Sequence, residues 1–317
     1  MIERPAVSII ILNWNNARDT IYCLSSVEQL DYSNYEILVV DNGSTDGSVD
    51  KIRTTHPSTQ IIELSENNGF ARGNNEGIMH ALNTGADYVL LLNNDTAVDP
   101  GMLTSLVDVA ENNPEIAMLG PKIFCWDEQD TLFAAGSFIS WNRGLIQHRG
   151  MFLPASNFSH LVDVEDVDFI IGCGVLVRSD FIRHVGSMKP GFFLNFEDVE
   201  WGIRAGRHGY KVVYVPWAKM MHKVSSTLGQ GSPLNTYYMT RNGLQFFWRH
   251  SPSHLRWIAT LSILLRTIRS LGAWTLRPRY WNASYRRRRN ANLIGIRDFF
   301  LGKTGMLTSD GFSFISE

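Results

Sequence analysis

Four short apolar runs punctuate the first third of the chain. Val7-Ser-Ile-Ile-Ile-Leu12, Tyr35-Glu-Ile-Leu-Val-Val40 and Tyr88-Val-Leu-Leu-Leu92 are nearly continuous in hydrophobic residues, and Gln60-Ile-Ile-Glu-Leu64 is a weaker fourth. Short runs of this kind, bounded by turn formers, predict strands of a parallel sheet covered on both faces. Helix-like stretches are predicted between and after them, over 17–30, 46–55, 70–83 and 101–112. The last follows Asp99-Pro100, a cap with proline in the first turn. Strand and helix alternating over the first 120 residues predict an α/β fold with right-handed crossovers.

After residue 120 the pattern loosens. Phe133 to Phe152 reads as short strands and turns, and Phe169 to Val177 as an apolar strand around Gly172 and Gly174. Glu197 to His208 is predicted helical, and Lys211-Val-Val-Tyr-Val215 is a predicted strand ending at Pro216. There is no internal repeat and no low-complexity segment.

Composition narrows the class. Of 317 residues, 44% are hydrophobic and 19% charged, a globular profile that excludes a disordered or collagen-like chain. Cys23, Cys125 and Cys173 are odd in number, far apart and form no C-x-x-C pair. A disulfide scaffold and a zinc-finger framework are therefore not expected, and the expected compartment is reducing. Val7 to Leu12 is too short for a secretory signal, and no apolar run approaches the ~20 residues of a membrane-spanning helix. The expected location is cytoplasmic.

Charge divides the chain. Residues 241–303 hold twelve arginines and one lysine against a single acid, Asp298, for a net +12. The first 240 residues hold 16 bases and 28 acids, a net -12. An acidic body with a basic tail suggests a metal or sugar site and a separate contact with a polyanion. Within the tail, Leu255 to Leu276 is apolar but carries Arg256, Arg266 and Arg269. At helical spacing, Trp257, Ile258, Leu261, Leu264, Leu265, Ile268 and Leu271 fall in an arc of about 140°. The arginines lie on the other side, with Ile263 and Trp274 as exceptions. Packing on the core is one reading of such a helix. The surrounding arginines and Trp248, Trp274 and Trp281 favour the other, an interfacial helix on the inner face of an anionic cell membrane. No nucleic-acid-binding motif is present, so no nucleic-acid partner is expected.

Ligands of open α/β sheets bind beyond the carboxyl ends of the strands. The residues following the four predicted strands are Asn13-Trp14-Asn15-Asn16, Asp41-Asn42-Gly43-Ser44-Thr45-Asp46-Gly47, Asn67-Asn68-Gly69-Phe70-Ala71-Arg72-Gly73-Asn74-Asn75 and Asn93-Asn94-Asp95-Thr96. Asn, Asp and Gly also make ordinary turns, but four such edges in succession point beyond turn formation. Ser44 or Thr45 is expected to cap the helix beginning near Asp46, leaving Asp41 for a base or ribose. Asp95, with amide neighbours, suits a hard divalent cation. Gly69, Gly73 and Gly77 line one helix face and permit close packing, while the G-x-G-x-x-G and P-loop signatures are absent. Glu197, Asp198 and Glu200 crowd together after an apolar run, where a carboxylate can acquire a raised pKa and act as general base. His222 gains meaning only if it reaches Asp95.

Taken in order, these motifs resemble those of inverting family 2 glycosyltransferases, particularly the rhamnosyltransferase-like branch, over residues 6–250. The resemblance implies a GT-A fold: a mainly parallel Rossmann-like central sheet flanked by helices, here with a C-terminal helical basic extension. It implies a nucleotide-sugar-binding half over 1–120 and an acceptor-binding and catalytic half over 121–250, while the amphipathic arc and the arginines make 251–317 an expected membrane-associating helical region. By position, Asn13, Trp14 and Asp41 would face the nucleoside. Asn67, Gly69, Arg72 and Asn74 would flank the nucleotide and diphosphate. Asn93, Asn94 and Asp95 take the place of the family's D-x-D motif, a departure because its first acid is Asn93 here. Asp95 and His222 would hold Mg or Mn, and Asp198 matches the catalytic base, with Glu197 and Trp201 beside the acceptor. The implied reaction moves a sugar from a dTDP-rhamnose-like or UDP-sugar donor to a glycan or lipid-linked acceptor. Two alternatives are a catalytically silent sugar-nucleotide- or glycan-binding protein on the same fold, and a sugar-nucleotide pyrophosphorylase, whose Gly-rich first loop with a basic signature is missing.

Overall fold

The computed structural model describes residues 4–223 and 232–316. Its strands are β1 Val7–Asn13, β2 Tyr35–Asp41, β3 Gln60–Glu63, β4 Tyr88–Asn93, β5 Thr96–Val98, β6 Ile116–Cys125, β7 Thr131–Ala134, β8 Ser137–Ser140, β9 Leu145–His148, β10 Leu153–Pro154, β11 Glu165–Asp166, β12 Gly174–Arg178 and β13 Lys211–His222. Its helices are α1 Ala17–Val27, α2 Ser48–Thr55, α3 Gly69–Thr84, α4 Met102–Glu111, α5 Ser179–Val185, α6 Glu197–Arg207, α7 Pro233–His250, α8 Arg256–Leu276, α9 Ala283–Phe300 and α10 Ser309–Ser316. The chain forms two compact units. One comprises Met1–Phe138, His148–Lys189 and Asp198–Val224, and the other Ile139–Gln147, Pro190–Glu197 and Ser225–Glu317.

The first unit is built on one sheet, ordered β10-β7-β6-β12-β4-β1-β2-β3. The four apolar runs occupy its parallel part, with β1 between β2 and β4 and β3 outside β2. Beyond β4 the sheet turns antiparallel through β12, and β13 runs parallel to β6. Alternation places Ile9, Ile11, Val39, Leu90 and Leu92 on one face, in a core shared with Cys23, Leu24, Leu103 and Leu106 of α1 and α4. Ile10, Leu38, Val40, Val89 and Leu91 face the other way, in a core with Ala71, Ile78 and Ala81 of α3 and Phe181 of α5. Each buried Ile or Leu contributes roughly 1.5–3 kcal/mol, so both faces of the parallel part anchor the strand ends.

Pro216 does not end the last strand. Between Val215 and Lys219 the pairing of β13 with β6 shifts register, and the strand then continues to His222. An irregularity of this kind absorbs a residue that lacks a ladder donor. The resumed segment also pairs antiparallel with β5, setting His222 opposite Thr96.

The second unit has its own core of Tyr237, Tyr238, Ala291, Ile294, Leu307 and Ile315. Helix α7 belongs here because Arg241 and Asn242 reach back to the carbonyl of Phe192, within the Pro190–Glu197 segment. Arg241 is fully buried between Tyr237 and Tyr238, so it serves this core and not the basic surface to which its charge was assigned. Arg266 donates to the carbonyls of Arg143 and Gly144. Helix α8 buries Ala259, Thr260 and Ile263, whereas Trp257, Ile258, Leu261, Leu265 and Ile268 are each at least half exposed. The apolar stripe is therefore not core packing within this unit. No helix among the described residues is long and apolar enough to cross a membrane.

The glycine stripe packs as its spacing predicts. A Cβ on Gly73 would lie 2.6 Å from the Leu12 side chain, and one on Gly77 would lie 2.6 Å from Ile10 and 3.1 Å from Val40. Ile10 and Val40 are β-branched and buried, so they yield little. Gly77→Ala is expected to destabilise the protein, because overpacking of about 1–3 kcal/mol outweighs the roughly 1 kcal/mol of helix propensity gained. Gly206→Ala in α6, where a Cβ meets nothing within 4 Å, should stabilise by about 0.5–1 kcal/mol. Denaturant unfolding of the two variants checks the opposite signs.

Candidate active site

The carboxyl ends of β1, β2 and β4 are joined by side chains. Asn94 donates to Thr20 Oγ1 at 3.0 Å, and Thr20 donates to Asn13 Oδ1 at 2.7 Å. Asn13 then donates to Asp41 Oδ1 at 2.7 Å and to Ser44 Oγ at 3.2 Å. Asp41 Oδ2 accepts from the Ser44 amide at 2.9 Å. Asn13, Asp41 and Asn94 are all buried, and Trp14 beside them is half-buried. Asp41 was expected to be released by a Ser44 or Thr45 helix cap. Neither residue caps α2, which starts after Gly47 with Asp46 accepting from Ser48, and Asp41 itself holds the loop. Its carboxylate uses two of about four lone-pair positions in doing so, leaving capacity for a further donor.

The next edge is built by a residue the motif reading left without a role. Asn42 donates to Asn67 Oδ1 at 3.1 Å and to the Gly69 carbonyl at 3.2 Å, and accepts from the Asn68 amide at 2.9 Å. Asn67 Oδ1 also accepts from the Gly69 amide. Together they fix the start of α3, where Gly69 has φ +79°, a conformation that favours glycine. Arg72 is exposed on the first turn. Asn74 is buried and donates to the Phe70 carbonyl of its own helix.

Asp95 and His222 meet. His222 Nε2 lies 3.2 Å from Asp95 Oδ1, with both side chains buried. The contact follows from the sheet: Asp95 precedes β5, His222 ends β13, and the two strands pair there. The amide of Lys223 donates to the Asp95 carbonyl at 2.9 Å, closing the junction. Phe133 packs against the imidazole, ring centroids 4.9 Å apart. Asn93 Oδ1 and His222 Nδ1 are buried without a hydrogen-bond partner among the described residues.

Asp198 is the second residue of α6 and is half-buried. Its Oδ2 accepts from the Gly172 amide at 2.9 Å and its Oδ1 from the Val199 amide at 2.8 Å. Burial raises its pKa above the ordinary carboxylate value despite those two bonds. A Cβ on Gly172 would lie 3.0 Å from the Phe70 ring, so glycine there allows close approach to Asp198. The neighbouring acids differ. Glu200 is fully buried and ion-paired with Arg204 at 3.0 Å and Lys189 at 2.7 Å, and Glu197 is buried. Trp201, expected beside an acceptor, is fully buried: its indole donates to the Gly186 carbonyl at 2.9 Å and packs near Phe181. It supports α6 from beneath and offers no surface to a ligand.

Cys173 links the two acidic corners. Its carbonyl accepts from the Asn93 amide at 3.0 Å, next to the Gly172 amide that holds Asp198. Its thiol pKa is pushed well up, first by burial and then by the negative charges of Asp95 and Asp198. Cys23 is pushed up to about 12, mainly by burial with a smaller contribution from Asp95. Both carboxylates thus act on one small region at the start of β12. Such an arrangement can hold a cation, bind phosphate oxygens through it, and accept a proton nearby.

The segment entering α6 is strained. Phe193, Asn195 and Phe196 have φ of 62°, 64° and 75°, left-handed values costly for bulky residues. Asn242 holds this backbone, donating to the carbonyls of Phe192 and Leu194 at 2.8 Å and of Asn195 at 3.0 Å. Arg241 Nε donates to the side-chain Oδ1 of Asn242 at 2.9 Å. The motif reading missed this pair. The available signal was an Arg-Asn dipeptide inside the apolar helix Pro233–His250, a pattern that requires buried partners.

Known proteins resemble this chain in sequence and in fold. A model described as "Glycosyl transferase family 2" matches residues 8–163, and one described as "Glycosyl transferase family group 2" matches residues 88–282. The chain is 28% identical over 255 residues to the N-acetylglucosaminyl-diphospho-decaprenol L-rhamnosyltransferase of Mycobacterium tuberculosis, covering 73% of this chain and 81% of that protein. It is 24% identical over 224 residues to the dTDP-rhamnosyl transferase RfbF of Shigella flexneri, covering 68% and 72%. Its fold is similar to that of a mannosyltransferase from Pyrobaculum calidifontis in complex with GDP-Man and Mn2+, with a TM-score of 0.58 at 15% identity over 95% of this chain and 89% of the other.

Removing the Asn242 amide should release three backbone carbonyls, of which that of Phe192 is buried. Asn242→Ala is expected to lower stability by about 1–3 kcal/mol, measured by thermal unfolding, whereas alanine at the exposed Arg72 should leave it unchanged. Equal stability of both variants would contradict the clamp.

Proposed function

The chain belongs to glycosyl transferase family 2, and from that premise we propose that it is an inverting, metal-dependent transferase of a deoxyhexose such as rhamnose. The donor is a nucleoside-diphosphate sugar, and the acceptor a hydroxyl of a lipid-linked glycan in surface-polysaccharide synthesis. Two rhamnosyltransferase relatives support the sugar, and the diphospho-decaprenol in one relative's name supports the lipid-linked acceptor. The observation that carries the reading is the pairing of a buried Asp95–His222 corner with a half-buried, raised-pKa Asp198 around one strand start. A silent binding protein would have no need of that carboxylate, whose burial opposes its charged form.

The donor set suits a hard divalent cation, Mg2+ or Mn2+. Asp95 supplies a carboxylate, His222 an imidazole, and Asn93 Oδ1 is a buried oxygen without a hydrogen-bond partner among the described residues. No group of three or more His, Cys, Asp or Glu among those residues could hold an ion, so donor phosphate oxygens would complete the shell. When bound, the ion supplies neutralising charge to the departing diphosphate. Asp41 is the acceptor available to a base or ribose. Asn13 orients Asp41, and Asn42 with Asn67 sets the helix start beside the diphosphate.

Asp198 does the proton chemistry. Two backbone amides hold the carboxylate in place, and its partial exposure admits an acceptor hydroxyl. The carboxylate takes the hydroxyl proton as the oxygen bonds to the anomeric carbon. The bond from that carbon to the diphosphate oxygen breaks, and the nucleoside diphosphate leaves. One displacement inverts the configuration, with no covalent enzyme intermediate. The site of action in this proposal is the cytoplasmic face of an anionic membrane. The exposed stripe of α8 with its arginines suits that surface, apolar burial giving depth and arginine charge giving attraction.

Asp198→Asn should retain donor binding and lose turnover by at least ~100-fold. Because the pKa is raised and the charged form is the base, wild-type kcat/KM should rise with pH through a value above the usual carboxylate range. Stopped assays across pH check both outcomes, and near-normal turnover of Asp198→Asn would remove it as base. Separately, Asp95→Ala should abolish the metal-dependent tightening of nucleoside diphosphate binding, and His222→Ala should weaken it less. Calorimetry with and without Mn2+ reads this directly, and unchanged metal dependence in Asp95→Ala would eliminate the site.

A further inference from the structure

We propose that a cavity at the junction of α8 and α9 binds the diphosphate of a prenyl-diphosphate-linked acceptor. The inference rests on the lipid-linked acceptor proposed above. The cavity has a volume of about 390 Å3, and its lining includes Trp274, Tyr280, Trp281, Asn282, Arg286 and Arg289. Two guanidiniums three positions apart on one helix face line the same space. Guanidinium forks bind phosphate oxygens in pairs and are weakly hydrated, so they suit a diphosphate better than ammonium groups would.

The walls are fixed before any ligand arrives. The Trp281 indole donates to the Thr275 carbonyl at 2.9 Å, and the side chain of Asn282 accepts from the Tyr285 amide at 3.1 Å. The Tyr280 and Tyr285 rings lie 4.6 Å apart. Arg279 stacks over Tyr280 at 4.6 Å, and Arg288 over Trp274 at 4.8 Å. These two arginines stack on lining rings and are not themselves in the lining, so they hold Tyr280 and Trp274 in place and leave the anion to Arg286 and Arg289.

Charge defines the ligand's sign. Residues 251–297 contain ten arginines and neither Asp nor Glu. Apolar surface defines the ligand's other half. Along α8, Trp257, Leu261, Leu265, Ile268 and Leu276 share a face at helical spacing, and all are more than half exposed. Leu276, the most exposed of them at 76%, directly precedes the turn that carries the cavity-lining Tyr280 and Trp281, the latter 69% exposed. An anion receptor continuous with a lipid-facing stripe fits an anion attached to a long hydrocarbon chain. A free sugar nucleotide has no use for the stripe, and a plain anionic lipid surface has no need of a formed cavity.

The test uses the full chain and three kinds of vesicle. One is neutral phosphatidylcholine, one carries a small fraction of a long-chain prenyl diphosphate, and one carries phosphatidylglycerol at matched charge. Co-sedimentation should show prenyl-diphosphate vesicles bound at least ~10-fold more tightly than the phosphatidylglycerol ones. Arg286→Gln/Arg289→Gln should lose that preference and keep the binding to phosphatidylglycerol. The KM for a prenyl-diphosphate-linked acceptor should rise in that variant by at least ~10-fold, with donor KM and transfer to a diphosphate-free soluble acceptor unchanged. Arg286→Lys/Arg289→Lys, which keeps the charge and removes the forks, should be intermediate, and it stands in if the glutamine pair does not fold. No preference in the wild type, or a preference that survives in both variants, overturns the proposal. Inorganic diphosphate competing as well as the lipid would assign the cavity to free diphosphate and overturn the lipid assignment. Failure of the wild type to transfer any sugar would count against the transferase reading alone, because vesicle preference is read without turnover.

Discussion

A carboxylate taken out of water must be compensated, since an uncompensated buried charge costs several kcal/mol. Three such groups stand at strand ends or beside them, and each is compensated differently. Asp41 accepts from a neutral amide side chain and a backbone amide. Asp95 lies against the His222 imidazole. Asp198 has two backbone amides, and burial still keeps its pKa raised. The compensation sets the chemistry available to each: hydrogen-bond acceptance for Asp41, a metal-type donor pair for Asp95, and proton uptake for Asp198. All three partnerships depend on elements that the sheet delivers to one edge.

Delivery requires close backbone approach. Gly73 and Gly77 let α3 lie against Ile10, Leu12 and Val40, bringing Asn67 to Asn74 to the edge formed by β1 and β2. Gly172 leaves room for the Phe70 ring beside Asp198. The register shift after Val215 lets β13 continue past Pro216 and place His222 opposite Thr96. Strain is concentrated at Phe193, Asn195 and Phe196, just before Asp198, and it persists because Asn242 binds three of the carbonyls around them.

Local pattern carried much of this into the sequence. Continuous apolar runs at Val7, Tyr35 and Tyr88 are readable as doubly covered strands because runs of five or six residues bounded by turn formers are too short for buried helices. The polar edges following them are readable because ligands of such sheets collect there. Facts that depend on distant partners were not readable. A proline reads locally as a strand end, and only the pairing of β13 with β6 and β5 reveals that it is not one. Asp41 appeared free because its partners, Asn13 and the Ser44 amide, converge only in three dimensions. Trp201 appeared to be an acceptor contact because an aromatic beside acids looks alike in sequence whether it faces in or out, and here it faces in. The stripe of α8 was legible as amphipathic, but its exposure required the structure.

The proposed reaction is a single displacement in which the Asp198 carboxylate takes the acceptor proton and the donor diphosphate leaves from the opposite face. The most direct measurement is the anomeric configuration of the newly made glycosidic bond, read by NMR coupling constants on the first product formed from a donor of defined configuration. A product of configuration opposite to the donor's is the predicted result. Retention of the donor's configuration would require a second nucleophile or a front-face path, and would contradict the role given to Asp198.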